Sequence, residues 1–259
     1  MRKRPTLTVG LIAGLIAAIT ASAAIAGPTV VGKDGNTQSL DVVVPKNLSK
    51  TKPTAVTLKV TTKTTSTTAA NGVPSPAIRA VVDFDKNASL YTKGVPTCDP
   101  AKLQSTSTEV ALAECGNAKI GSGSGAALLP VGDKVFPEPV VITAFNGVPQ
   151  AGQPVVLLHA YGSSPVQTTQ VLNGKVSSYN KEGFGPRLDV EIPKLAGGTG
   201  ALTDFSVTIN KKYRYKGALR SYVSAKCPKS KKLKARATFT YLDGEALTAV
   251  SQQGCKQLK

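Results

Sequence analysis

The single histidine of the chain, His159, is the side chain best suited to general acid–base chemistry. It lies in the apolar run 155–161, where strand alternation places it on the same face as Leu157 and Tyr161. A nucleophilic triad would also need a serine and an acid brought near His159 by folding, and no Gly-x-Ser-x-Gly turn precedes a helix here. The Gly/Ser run at 121–125 has these residues in the wrong order, which favours a flexible or bulged loop. We therefore predict no catalytic residue and no enzymatic activity.

Two groups of carboxylates suggest other chemistry. Residues 83–87 (DFDKN) resemble the start of an EF-hand loop, but Ala88 stands where the loop needs glycine and Gly94 where it needs glutamate. We expect a strand end that turns into a loop, with neither a metal ion nor another cofactor. Asp189 and Glu191 point the same way from one strand, about 7 Å apart, as in an inverting glycosidase. A solvent-facing strand explains them without chemistry.

A strongly basic segment is more informative. The chain has 32 Lys and Arg against 15 Asp and Glu, a formal net charge of +17. Residues 211–236 contain no acid and eleven basic residues: Lys211, Lys212, Arg214, Lys216, Arg220, Lys226, Lys229, Lys231, Lys232, Lys234 and Arg236. Such a segment, with interleaved tyrosines, predicts a surface that binds anionic polymers. A merely solubilising surface is the alternative.

The N-terminus predicts export. A basic start (residues 2–4) precedes an uncharged run from Leu7 to Ile25, and small residues at 24 and 26 fit cleavage after Ala26. An uncleaved membrane anchor is the alternative. Export argues against DNA or RNA as a partner and favours an anionic cell-wall polymer or membrane surface. Loss of Arg2, Lys3 and Arg4 would lower the formal net charge by three.

Export also permits disulfides. Cys98 and Cys115 lie 17 residues apart, and Cys227 and Cys255 lie 28 apart. Three pairings are possible, and we predict these two local ones, each worth about 3 kcal/mol or slightly more. The spacing lacks the C-x₂₋₄-C pairs of a four-cysteine zinc site.

Short alternating segments predict an antiparallel β fold. Leu188, Val190 and Ile192 oppose Asp189 and Glu191, for example. Asn173-Gly174 and Asp243-Gly244 each predict a two-residue hairpin turn. One short helix is expected at 107–114, capped by Thr106 or Ser107. We predict a signal peptide (1–26), a polar tether (27–39) and one β-sandwich domain (40–259), immunoglobulin-like or jelly-roll-like.

An ordered series of short motifs runs through the mature chain: GVPTC at 94–98, CGNAKIGSG at 115–123, FNG at 145–147, CP at 227–228, FTYLDG at 239–244 and Cys255. The series resembles a group of uncharacterised secreted proteins from high-GC Gram-positive (actinobacterial) bacteria. Cys115-Gly116 departs from the Cys-Pro that is usual there. The resemblance implies export and a disulfide-bonded, β-rich domain, and it implies no activity or site residue.

Together these observations predict a secreted or envelope-associated, non-enzymatic and monomeric binding protein. A polysaccharide hydrolase would need two of the sparse carboxylates to meet in a cleft. A carbohydrate-binding module is disfavoured because the chain has no Trp, and a strip of coplanar, exposed tyrosines would favour it again.

Overall fold

A computed structural model describes residues 27–164 and 167–258. The predicted signal peptide, residues 1–26, lies outside the described residues. In the described part of the chain, no helix has the length and apolar character needed to cross a membrane.

The described chain is built almost entirely of β-strands. They are β1 (Thr29–Val31), β2 (Asn36–Val43), β3 (Asn47–Ser49), β4 (Thr54–Ala55), β5 (Leu58–Ser66), β6 (Ala77–Asp85), β7 (Ala88–Leu90), β8 (Lys119–Val131), β9 (Lys134–Gln150), β10 (Gln153–Gly162), β11 (Thr168–Ser178), β12 (Phe184–Glu191), β13 (Ala201–Ile209), β14 (Lys212–Tyr215), β15 (Ala218–Ser221), β16 (Val223–Ala225), β17 (Lys232–Tyr241), β18 (Ala246–Gly254) and β19 (Lys256–Leu258). Among the described residues the one α-helix is α1 (Thr108–Cys115), and short 3₁₀ turns occupy Pro100–Leu103, Gly116–Ala118 and Ala196–Gly198.

Twelve strands form one large antiparallel sheet in the order β1-β2-β5-β13-β8-β9-β10-β11-β12-β6-β17-β18. The sheet nearly closes on itself, because β18 lies beside β2 and side chains link the two strands. The backbone N–H of Val42 donates to Ser251 Oγ (3.0 Å), and that of Val44 donates to Gln253 Oε1 (2.8 Å). The prediction of an antiparallel all-β fold is confirmed, and the immunoglobulin-like or jelly-roll-like type stays a prediction.

Strand alternation places the main core inside the sheet. Along β17, Leu233, Ala235, Ala237, Phe239 and Tyr241 are all buried, and the residues between them are only partly buried. This period of two gives one inward and one outward face. The inner faces of the other large-sheet strands complete the same core.

A second, smaller core lies on the outer face of β9 and β10. Helix α1 begins after Ser107, whose Oγ accepts the N–H of Val110 (3.3 Å), as the sequence predicts. The Cys98–Cys115 disulfide ties the helix to the preceding loop, and Leu103 packs with strand residues such as Phe145. Both predicted disulfides are present, since Cys227 is bonded to Cys255.

One end of the large sheet carries three small sheets. Strand β16 pairs with β4 and β7, β19 pairs in parallel with β3, and β14 forms a hairpin with β15. The Cys227–Cys255 disulfide joins the segment after β16 to the start of β19. These small sheets cover the interior at this end, where Tyr222, Val223 and Ala225 are buried.

Of the two predicted hairpins, one is present with a longer turn than predicted, and the other is wrong. Asp243 and Gly244 lie in the connection between β17 and β18, residues 242–245, and of these two residues only Gly244 has a positive φ (+90°). Asn173 and Gly174 instead lie inside β11, which β10 and β12 flank on both sides. A Cβ on Gly174 would lie 2.7 Å from Leu188 Cδ1, so this glycine permits close packing rather than a turn.

Two further expectations are corrected. Residues 27–39 are not a tether, because they contain β1 and the start of β2. Gln38 is fully buried there, and its Oε1 accepts hydrogen bonds from Thr64 and from the Tyr241 hydroxyl.

The glycine run at 121–125 is not a flexible loop, because it lies in β8. A Cβ on Gly123 would lie 1.9 Å from Ser206 O, so glycine allows β8 and β13 to approach closely.

Candidate functional site

The hairpin β14–β15 is the most basic element of the molecule. Its turn residues Lys216 and Gly217 have φ values of +49° and +76°, the left-handed conformation that a tight two-residue turn requires. Alternation leaves Lys212 and Arg214 exposed and turns Tyr213 towards the body of the protein. The hairpin therefore presents cations to solvent on a backbone of fixed shape.

Tyrosines anchor this hairpin. The Tyr213 hydroxyl donates to Tyr91 O (2.8 Å) and Lys93 O (3.1 Å), and burial raises its pKa. The Tyr215 ring meets the Tyr91 ring edge-on, with centroids 6.5 Å apart and planes at 61°. A Cβ on Gly94 would lie 2.1 Å from the Tyr215 ring, so glycine makes room for it. These partly buried rings pack the hairpin and do not form a coplanar strip.

The segment after the hairpin is fixed equally firmly. The buried hydroxyl of Tyr222 donates to Asn146 Oδ1 (3.1 Å), and burial raises the pKa of this tyrosine. Backbone hydrogen bonds then join Lys226 to Asn87 O (3.1 Å) and Cys227 to Ser49 O (2.9 Å). Distant parts of the chain are thereby brought to the same end of the sheet.

We call this surface the basic end. It is formed by residues 46–55, 86–93, 211–232 and 254–258, which contain no Asp or Glu. Its fifteen cations are Lys46, Lys50, Lys52, Lys86, Lys93, Lys211, Lys212, Arg214, Lys216, Arg220, Lys226, Lys229, Lys231, Lys232 and Lys256. Thirteen are exposed, whereas Lys211 and Lys226 are half-buried. None of the fifteen forms an ion pair with another residue that the structure describes.

Nine of these fifteen cations belong to the segment that the sequence singled out. Sequence reasoning missed Lys46, Lys50, Lys52, Lys86, Lys93 and Lys256. The local sequence carries little signal for them: Lys86 even follows Asp85 directly, and the pairings of β3 with β19 and of β7 with β16 join residues far apart in the chain.

The last two residues of the predicted basic surface, Lys234 and Arg236, lie elsewhere, on β17. Arg236 donates to Asp83 Oδ2 (2.8 Å) and to Glu182 Oε2 (2.5 Å). Lys234 Nζ donates to Glu182 O and lies 4.5 Å from the centre of the Phe184 ring. Both cations already have partners within the protein, so we leave them out of the basic end.

Asp83 is the centre of this ion-pair cluster. The carboxylate is buried and accepts hydrogen bonds from Arg187 Nε (2.6 Å) and from Arg236 Nε and Nη2. Burial alone would raise the pKa of Asp83, but the two guanidinium groups outweigh it and hold the pKa below its usual value. The Arg187 guanidinium also stacks 3.8 Å from the centre of the Tyr179 ring.

Of the remaining candidates of the sequence, three are held in structural roles and one is exposed. His159 is fully buried beneath the disulfide-bonded loop, its Nε2 lies 3.0 Å from Thr106 O, and burial lowers its pKa. Asp85 accepts from Asn87 N (2.9 Å) in the turn between β6 and β7. Asp189 is paired with Arg79, whose hydrogen bonds lower the pKa of the carboxyl, and Glu191 is exposed.

No family model matches this chain, and no curated protein or solved structure does so either.

Proposed function

We propose that this protein is exported and acts without catalysis, binding the anionic polymers or anionic membrane surfaces of the cell envelope through its basic end. The observation that carries the proposal is the convergence of fifteen cations from four separate segments, with no acid in those segments. The two disulfides are consistent with an extracellular protein.

The lack of internal partners supports a role in binding. Elsewhere in the molecule, exposed and half-buried arginines are paired with acids, as Arg79 is with Asp189 and Arg236 is with Asp83. The cations of the basic end have no acidic partner among the described residues, and thirteen of the fifteen are exposed. Concentrated charge of one sign repels itself within the folded protein, and it attracts a polyanion of the opposite sign. Phosphate groups of lipids or wall polymers supply such charge.

The rigidity of the site also supports this function. Tyr213, Tyr222 and the Cys227–Cys255 disulfide hold the basic end in one arrangement. The backbone of the basic end therefore loses its conformational entropy when the protein folds. Ligand binding does not require this entropy loss, which favours affinity.

The proposal is tested by retention of the mature protein on phosphatidylglycerol vesicles and on isolated cell walls over a series of salt concentrations. Lys212, Arg214, Lys216 and Arg220 are changed together to Glu. The control changes Lys33, Lys63, Lys134 and Lys194 to Glu, which are exposed and lie outside the basic end. Both variants change the net charge equally.

We expect the basic-end variant to lose at least about tenfold in affinity at low salt, with the control close to the wild type. Equal losses in the two variants would show that net charge alone matters. Absence of wild-type retention on both materials at low salt would overturn the proposal. Binding to only one material would identify the source of the anionic groups.

A further inference from the structure

The inside of the large sheet is not completely filled. Two adjoining cavities of about 170 and 240 Å³ lie there, and Leu158, Leu172, Ile192, Leu202 and Phe205 line both of them. Protein interiors otherwise contain few voids larger than a water molecule. An engineered apolar cavity of about 150 Å³ stays dry and binds benzene, so each cavity here is large enough for a ligand.

The two cavities form an elongated apolar space with different ends. The first extends to the basic end, where Leu90 on β7 and Val223 on β16 line it. The second reaches the opposite end of the sheet, where Val131, Pro193 and Ala196 line it and are exposed to solvent. The second cavity therefore reaches solvent at the end opposite to the basic end.

A buried carboxyl group lies in the second cavity. Glu138 on β9 is only 1% exposed and lines this cavity together with Thr168 and Gln170, the other polar residues of its wall. Its Oε1 accepts from Thr168 Oγ1 at 3.4 Å, but its Oε2 has no hydrogen-bond partner among the described residues. A buried polar atom without a partner is costly, and it is rare in folded proteins.

The surrounding sequence makes room for this carboxyl group. A Cβ on Gly162, the residue at the end of β10, would lie 1.9 Å from Glu138 Oε1. Any larger residue at 162 would collide with the carboxyl group in its present position. The unpartnered Oε2 is thus held at the wall of an otherwise apolar space.

From the cavities and Glu138 together, we infer that the interior binds a single-chain amphiphile with a hydroxyl head. The aliphatic tail fills the apolar space, and the hydroxyl group donates a hydrogen bond to Glu138 Oε2. A fatty acid fits less well, because its carboxylate would lie beside a second acid. This site is independent of the basic end, so either proposal can fail without the other.

Displacement of the apolar dye phenylnaphthylamine from the mature protein tests this inference. We expect dodecanol to displace the dye at least about tenfold more effectively than dodecanoate. In Glu138→Gln, dodecanol should displace the dye no more than about threefold more effectively than dodecanoate does. The aliphatic tails of both compounds should still bind in the cavity. Absence of displacement by either compound would overturn the inference, and a full preference in Glu138→Gln would overturn the role of this residue.

A second variant tests the location of the site. Ala160 lines the second cavity, so Ala160→Phe should reduce dodecanol binding at least about tenfold. Val141, on the neighbouring strand, is half-exposed, and Val141→Phe is the matched control that should bind normally. If Ala160→Phe lacks the native circular dichroism spectrum, Ala127→Leu is used in its place. This substitution also fills the second cavity, with a side chain smaller than that of Phe. Normal binding by a folded, cavity-filled variant would contradict the proposed site.

Discussion

The basic segment 211–236 is divided by the fold into two regions that use their cations differently. At the basic end, Lys212, Arg214 and their neighbours are exposed and have no acidic partner among the described residues. On β17, Arg236 is three-quarters buried and shares Asp83 with Arg187. The same residue type therefore stabilises the fold in one region and is available for binding in the other.

The difference follows from the surroundings of each cation. Arg236 faces a buried carboxylate on the adjacent strand β6, where water is largely excluded and charge-assisted hydrogen bonds are strong. The cations of the basic end lie on the small sheets, in the loops beside them and at the first residue of β17, in segments that carry no acids, and thirteen of them face water. Mutations in the two regions should consequently affect different properties.

The largest expected effect is on the buried cluster. Asp83→Ala leaves Arg187 and Arg236 without their shared carboxylate, and we expect it to lower the free energy of unfolding by about 3 kcal/mol. Urea denaturation of the disulfide-bonded protein measures this loss. Binding to anionic vesicles should remain at the wild-type level.

Asp189→Ala provides the control, because its partner Arg79 is half-exposed. It should cost about 1 kcal/mol or less, as exposed ion pairs usually do. If Asp83→Ala were no more damaging than this control, the cluster would not have the structural role that distinguishes it from the basic end.

An intermediate effect concerns pH. Because the pKa of Asp83 is lower in the folded protein than its unfolded value of about 3.9, its stabilisation is fully present above that value. It is lost as the pH falls through the folded pKa. Below about pH 4 the free energy of unfolding of the wild type should therefore fall with decreasing pH more steeply than that of Asp83→Asn. The difference in slope should be up to about 1.4 kcal/mol per pH unit.

Denaturation curves of both proteins between neutral pH and acid measure this difference. Asp189 also has a lowered pKa, but it is present in both proteins and cancels in the comparison. Parallel pH profiles would show that Asp83 does not titrate with the proposed shift.

The smallest expected effect is on the stability of the basic end. The variant with four substitutions to Glu, at Lys212, Arg214, Lys216 and Arg220, should unfold with nearly the wild-type free energy. We expect a change of no more than about 1 kcal/mol, since these residues are exposed. Loss of the contact between Arg220 and the Tyr91 ring is offset by weaker repulsion between like charges. A loss above about 2 kcal/mol, again from urea denaturation, would show that these cations also hold the fold together.

Local chemistry explains which predictions from sequence were confirmed. The alternating strand segments, the Ser107 cap, the hairpin at Asp243-Gly244 and both disulfides depend on residues close together in the chain. The Asn173-Gly174 turn was wrong because β10 and β12 bind the segment on both sides, and long-range pairing outweighs turn propensity. The buried Gln38 escaped notice because its partners, Thr64 and Tyr241, are distant in sequence.

The sequence by itself determined the class of fold, the cross-links and the most basic segment, because periodicity, cysteine spacing and charge are visible along the chain. Only the tertiary structure decided that β18 would meet β2, that fifteen cations would share one end, and that Arg236 would not be among them. It also placed the unpartnered Glu138 beside an apolar cavity. These features arise from contacts between residues far apart in sequence, and local patterns carry no information about such contacts.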